Sequence, residues 1–198
     1  MKKNKTRIGI AGLGGIGSMV AQLLVRCRVE ALTLVDFDRV EPSNLNRQFY
    51  FYDQIGKKKT RMLARNLERL NPRVRVDLCC ERLDSENIVS LFRKCAVVVE
   101  GVDDKAVKKQ VVEAFAGTAT PVVSASGIAG DDMTGIRVKT MGNVTIVGDF
   151  VTDEADTALF PPKVHMTAAL MVREILKFLY ESRQPSAVSH QPSVISFQ

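Results

Sequence analysis

The sequence predicts an open, doubly wound α/β domain: a mostly parallel sheet with helices on both faces and an antiparallel hairpin added at one edge. Three observations predict it. Short apolar runs alternate with segments of helical period almost throughout the chain. The first run feeds a glycine turn, Gly12-Leu13-Gly14-Gly15-Ile16-Gly17, that leads into a helix. The last two runs lie so close together that only a hairpin can join them.

In order, Ile8-Gly9-Ile10-Ala11 reads as a buried strand, and Ser18, Ala21, Leu24 and Val25 mark the inner side of the helix after the glycine turn. Leu32–Val35 is the second strand, followed by a long polar-aromatic loop from Asp36 to about Gly56. The spacing of Met62, Leu63, Leu67 and Leu70 predicts a helix over Lys57–Leu70, which Asn71-Pro72 ends. Val74–Cys80 is the third strand, and its alternation sends Val74, Val76, Leu78 and Cys80 to the core. Asp84 is the expected N-cap of a helix through Ile88, Val89, Leu91 and Phe92. Ala96–Val99, wholly apolar, suits a central parallel strand.

Asp104–Phe115 reads as a helix with Ala106, Val107, Val111 and Phe115 inward, and Pro121–Ala125 as the fifth strand. The hairpin is expected at Gly135–Thr140 and Asn143–Gly148, joined by Met141-Gly142. A polar loop leads to a last helix, Val164–Tyr180, with Ala168, Ala169, Val172, Ile175, Leu176 and Leu179 buried. Residues 1–182 thus form one domain, and 183–198, without periodicity, a flexible tail.

The chain has 198 residues, of which 45% are hydrophobic and 25% charged, so it can build a core and is not a disordered polymer. No apolar run reaches the ~20 residues of a membrane span. Met1-Lys2-Lys3-Asn4-Lys5 leads directly into the first strand without a cleavage site, so no signal peptide is read and a cytoplasmic location is expected. The formal charge of +6 raises nucleic acid as a partner. The basic residues are spread along helices, however, without a basic-aromatic stripe, so an acidic protein partner is the preferred reading.

Cys27, Cys79, Cys80 and Cys95 form no Cys-x-x-Cys pair, and His165 and His190 are distant, so no zinc is expected. Cys79, pointing away from Cys80, is the one thiol considered for reactivity.

The glycine turn is an anion cradle. Gly12, Gly14 and Gly17 permit the tight turn and the approach of a phosphate, and the helix dipole favours negative charge there. With Asp36 placed to hold ribose hydroxyls, that turn alone suits a dinucleotide, and a redox or regulatory module remains open. Other groups expected above the strand ends point elsewhere. Asp36, Asp38, Arg47, Lys59 and Asp103 make a cluster of cations and carboxylates beside phosphates. Hydride transfer has no use for such a cluster, whereas nucleotidyl transfer does, because negative charge gathers on phosphorus oxygens and departing pyrophosphate. A carboxylate such as Asp103 would hold Mg²⁺.

The glycine turn, Val35-Asp36-Phe37-Asp38, Ser43-Asn44-Leu45-Asn46-Arg47-Gln48, Gly56-Lys57-Lys58-Lys59 and Leu70-Asn71-Pro72 occur in the order and spacing of the ThiF/MoeB superfamily, which the chain resembles from first strand to last helix. Ser124-Ala125-Ser126-Gly127 matches the family's fifth-strand end. These Rossmann-like enzymes adenylylate ubiquitin-like sulfur-carrier proteins and are related to ubiquitin-activating enzymes; the chain is most similar to the short ThiF branch.

The resemblance implies ATP and Mg²⁺, with Gly14 and Gly15 against the phosphates and Asp36 on the ribose. Asn44, Arg47 and Lys59 would contact phosphates, Arg47 and Lys59 would stabilise the transition state, and Asp103 would hold the metal. It implies adenylylation of the C-terminal glycine of a ThiS-type carrier ending in Gly-Gly, for thiamine thiazole synthesis, by a homodimer. Adenylation of another carboxylate, on a small molecule or a tRNA, is the alternative within the family.

Three departures accompany the resemblance. Asp104 replaces the asparagine of the family's Thr-Asp-Asn stretch. The N-terminal arm that gives an arginine to the neighbouring subunit is expected to be missing, with Arg7 too near the strand to replace it. No cysteine occurs between Gly148 and Val164, so adenylation is expected without covalent carrier transfer. Lys57 and Lys58 read as a solvated face, and Asp38 as a loop brace or a ligand. His165 is expected to pack or face solvent, and Tyr50, Phe51 and Tyr52 to cover the core or a subunit contact.

Overall fold

The computed structural model describes residues 6–153 and 155–181, and the expected flexible tail lies outside them. The strands are β1 (Ile8–Ala11), β2 (Ala31–Val35), β3 (Arg75–Cys79), β4 (Val97–Glu100), β5 (Val122–Ala125), β6 (Arg137–Met141) and β7 (Val144–Gly148). The helices are α1 (Gly15–Arg26), α2 (Lys59–Leu70), α3 (Ile88–Phe92), α4 (Lys105–Phe115) and α5 (Pro161–Glu181). One seven-stranded sheet has the order β3-β2-β1-β4-β5-β7-β6. All pairings are parallel except β6 with β7. The doubly wound sheet with its hairpin at one edge is therefore as expected.

The four strands β1, β2, β4 and β5 are buried along their whole length. Helices cover them on both sides, so these strands need no polar face. On one side α1 and α5 pack together through Val20, Leu24, Ala168, Met171 and Ile175. On the other, Ile88 and Phe92 of α3 and Val111 and Phe115 of α4 complete a second core.

Several boundaries differ from the sequence reading. α2 begins at Lys59 because the backbone of Lys57 and Lys58 is taken up by pairing with Arg39 and Val40. β4 runs one residue further, to Glu100. β6 and β7 are joined by Gly142-Asn143, not Met141-Gly142, with Gly142 at φ 59° in the first turn position. That is the position where a II′ hairpin turn needs positive φ. α5 starts at Pro161, whose missing N–H is no loss in the first turn.

The burial expected of three segments also changes. Cys80 is exposed and Cys79 half-buried, because β3 is an edge strand that ends at Cys79; Leu78 too is 46% exposed. Ala106 and Ala169 face solvent. Asp84 accepts from the N–H groups of Glu86 and Asn87, yet it caps only a preceding turn, since α3 itself starts at Ile88. Among the described residues no helix is long and apolar enough to cross a membrane.

Candidate functional site

The carboxyl ends of β1, β2, β4 and β5 open into a single cavity of about 630 Å³. Gly12, Asp36, Asp103 and Ser126 line it, one from each strand end. The other predicted site residues Gly14, Gly15, Asp38, Asn44, Arg47 and Lys59 line the same cavity. Gly17 stands behind the turn: a β-carbon there would lie 1.8 Å from the Gly12 carbonyl oxygen, so only glycine lets α1 close on β1. Gly12 has φ +79°.

Gly14 is the N-cap of α1, yet no side chain caps the helix and no acidic residue occupies its first turn. The first N–H groups of a helix have no intrahelical partner and can meet an anion.

The loop carrying Arg47 is fastened to this turn. Ser18 Oγ donates to Gly14 O at 2.6 Å and accepts from Phe49 N at 3.0 Å. Tyr50 Oη donates to Leu13 O at 2.9 Å. Burial, with the charges of Asp36 and Asp38, holds the Tyr50 phenol well above its ordinary value, so it remains a donor. Asn66 on α2 holds the far end of the loop through Phe49 O and the buried Gln54. Sequence reading missed Ser18, Gln54 and Asn66, which look like ordinary helix or loop polar residues until their partners are known.

Arg47 lays its stem over Gly15, where a β-carbon would meet its Cγ and Cδ at 3.6 Å. Its Nη1 donates to Ser43 O and Asn46 Oδ1 at 2.9 Å. Its Nε is buried with no partner among the described residues, as is Oε1 of neighbouring Gln48. Buried polar groups are rarely left unpaired. A donor orphaned beside a phosphate-type turn fits a nucleotide's phosphates.

Lys59 is buried, with Nζ 3.1 Å from Asp38 Oδ2. Asp36 accepts from Leu13 N and Asp38 N, both at 2.7 Å. Burial pushes its carboxyl above the ordinary value, and Lys59 with these two N–H groups pulls against that. Asn44 lines the cavity, but its Oδ1 accepts from Glu41 N and shapes the loop.

Opposite, the two aspartates divide their tasks. Asp104 caps α4 by accepting from Ala106 N and Val107 N, which leaves Asp103 exposed toward the cavity. No cluster of three or more candidate metal ligands occurs among the described residues. A single carboxylate suits Mg²⁺, which takes one or two carboxylates together with substrate phosphates.

Lys57 and Lys58 donate to the carbonyls of Asp53 and Phe37 and have no place in the cavity. His165 Nε2 donates to Arg47 O at 3.2 Å, so it neither merely packs nor faces solvent but helps hold the Arg47 loop. Phe51 and Tyr52 are exposed. Arg7 pairs with Asp77 at 2.7 Å, at the opposite end of the strands. Burial and Glu81 push the Cys79 thiol up to about 11, which disfavours the thiolate that a reactive cysteine needs. Neither the buried Glu100 nor the buried Lys163 was foreseen.

The fold and this cavity define a doubly wound α/β protein whose glycine turn is flanked by an arginine, a lysine and a carboxylate. The ThiF family pattern matches residues 2–196, and the chain belongs to that family. It is 35% identical over 120 residues to a sulfur carrier protein adenylyltransferase of Thermus thermophilus, covering 60% of this chain and 44% of that one. It is 26% identical to the molybdopterin-synthase adenylyltransferase of Salmonella typhimurium, covering 91% of this chain and 76% of that one.

A ubiquitin-like modifier-activating enzyme 5 of Drosophila persimilis is 44% identical over 75 residues, which is 38% of this chain but 19% of that relative's length. In fold, the chain matches the E. coli tRNA N6-threonylcarbamoyladenosine dehydratase TcdA in complex with ATP. The TM-score is 0.81 at 22% identity, over 89% of this chain and 87% of the other.

Proposed function

We propose that this protein uses ATP and Mg²⁺ to adenylylate the C-terminal carboxylate of a small ubiquitin-like carrier protein, of the ThiS type that serves thiazole synthesis. The observation that carries the reading is the meeting, in one cavity, of the uncapped Gly14–Gly15 turn with Asp36, Arg47, Lys59 and Asp103. The names of the relatives support a carrier-type substrate, since two of them are adenylyltransferases and one activates a ubiquitin-like modifier.

In this reading a carboxylate oxygen attacks the α-phosphorus. A carboxylate O–P bond forms, the bond from Pα to the bridging oxygen breaks, and pyrophosphate leaves. The Gly14–Gly15 backbone and Asp36 fix the nucleotide, while Arg47 and Lys59 offset the charge gathering on the phosphorus oxygens. Asp103 would hold the metal, which when bound supplies further positive charge to the phosphates. Ser126, Gly127 and, from the loop after β7, Thr152 and Asp153 also line the cavity, and the carrier tail would enter beside them. A homodimer working in the cytoplasm completes the proposal.

Carrier-dependent ATP–pyrophosphate exchange tests it. Arg47→Ala and Lys59→Ala are each expected to lower kcat by about 10²–10³, the usual cost of removing one charge-stabilising donor. Exchange driven by a tRNA or a small carboxylic acid, and not by the carrier, would replace the substrate while keeping the chemistry. Undiminished exchange in both variants would overturn the roles.

A further inference from the structure

We propose that Glu100 is the positioning residue for Asp103, acting through Lys108; the proposal rests on the metal-holding role given to Asp103 above. Glu100 ends the otherwise apolar β4 and has no exposed surface. A carboxylate at such a place loses several kcal/mol of solvation unless its surroundings restore it. An apolar side chain would fill the same space without that cost.

Three donors converge on this carboxylate. Val102 N reaches Oε1 at 2.7 Å; Ser124 Oγ and Lys108 Nζ reach Oε2 at 2.6 and 2.5 Å. Lys108 also donates to Ala125 O at 3.1 Å and lines the cavity. One side chain therefore ties together the β4–α4 turn, α4 and the end of β5.

Asp103 sits inside that turn. On one side Val102 N is held by Glu100; on the other Asp104 is fixed as the cap of α4. The turn also presses on the phosphate cradle, since a β-carbon at Gly101 would lie 3.0 Å from Gly17 N. A shift of the turn thus moves Asp103 relative to Gly14 and Gly15. The Glu100–Lys108 pair sets that separation, and Ser124 keeps the carboxylate from rotating.

Glu100→Gln removes the charge and keeps the shape. ATP should still bind to the cradle, while the metal-dependent part of binding should fail. By calorimetry with ATP, the dissociation constant in EDTA is expected within two-fold of wild type. The tightening caused by Mg²⁺ is expected to drop at least five-fold, as it should in Asp103→Ala.

Lys108→Gln, which strands the buried Glu100 charge and is therefore compared at a temperature where its circular dichroism matches wild type, is expected to behave like Glu100→Gln. Lys108→Arg, which keeps the pair, should retain the tightening. Full tightening in Glu100→Gln or Lys108→Gln, alongside its loss in Asp103→Ala, overturns the positioning role alone. Full tightening in Asp103→Ala refutes the metal role and this proposal with it.

Discussion

Lys163 and Asp149 form a second buried pair, with side-chain exposures of 0% and 10%. Lys163 Nζ donates to Asp149 Oδ2 at 2.7 Å and to Ala129 O at 2.5 Å. Burial alone would raise the Asp149 carboxyl. The Lys163 hydrogen bond, the N–H groups of Thr152 and Val151 and the Thr152 hydroxyl outweigh it and hold the group far below 3.8. The depressed folded value fixes the sign: the stabilisation is complete above the ordinary pKa and is lost as pH falls through the folded one.

Asp149→Asn is expected to cost about 3–5 kcal/mol near neutral pH, because it strands a buried ammonium. Denaturant titrations carried from pH 5 to well below 3.8 should show a smaller acid-induced loss in the variant than in wild type. Asp36, Arg47 and Lys59 were legible in the sequence because each sits in a spaced motif. Glu100 and Lys163 were not, since strand and helix periods mark those positions only as interior and say nothing of partners far along the chain.

Elements were read well where both faces of a strand are covered, and poorly at the rim. The apolar runs of β1, β2, β4 and β5 announced themselves. The alternation of β3 misled, because an edge strand need not bury either face along its whole length. The Lys57-Lys58 stretch resembled helix, but its backbone had been claimed by Arg39 and Val40.

The glycine turn gives a sharp element-scale prediction. Gly17→Ala forces a β-carbon to 1.8 Å from Gly12 O, with backbone on both sides of the clash and no flexible side chain to yield. Loss of more than about 3 kcal/mol is expected, beyond the usual range for overpacking. Gly56→Ala, at φ +80° with nothing within 4 Å, should cost only the left-handed strain of about 1–2 kcal/mol. Guanidinium unfolding of the two variants separates clash from strain.

For the whole molecule, the fold class and the meeting of Gly12, Asp36, Asp103 and Ser126 at one cavity could be read in advance, because a doubly wound sheet places every β–α turn at one end. A ligand that binds only the folded state adds RT ln(1 + [L]/Kd), about 2.7 kcal/mol at a hundred-fold excess over Kd. Raised Tm with ATP and Mg²⁺, and none with NAD, is the expected outcome; the reverse would restore the dinucleotide reading.

The strand order has a consequence for solubility. A sheet that never closes leaves its first and last strands with one row of unsatisfied backbone groups, an invitation for another chain to add on. Here those strands place Arg75 and Asp77 on β3, and Arg137 and Lys139 on β6, in solvent. Such charges resist fibre-like growth. Arg137→Thr with Lys139→Thr should therefore leave ATP binding intact while light scattering rises as the protein is concentrated.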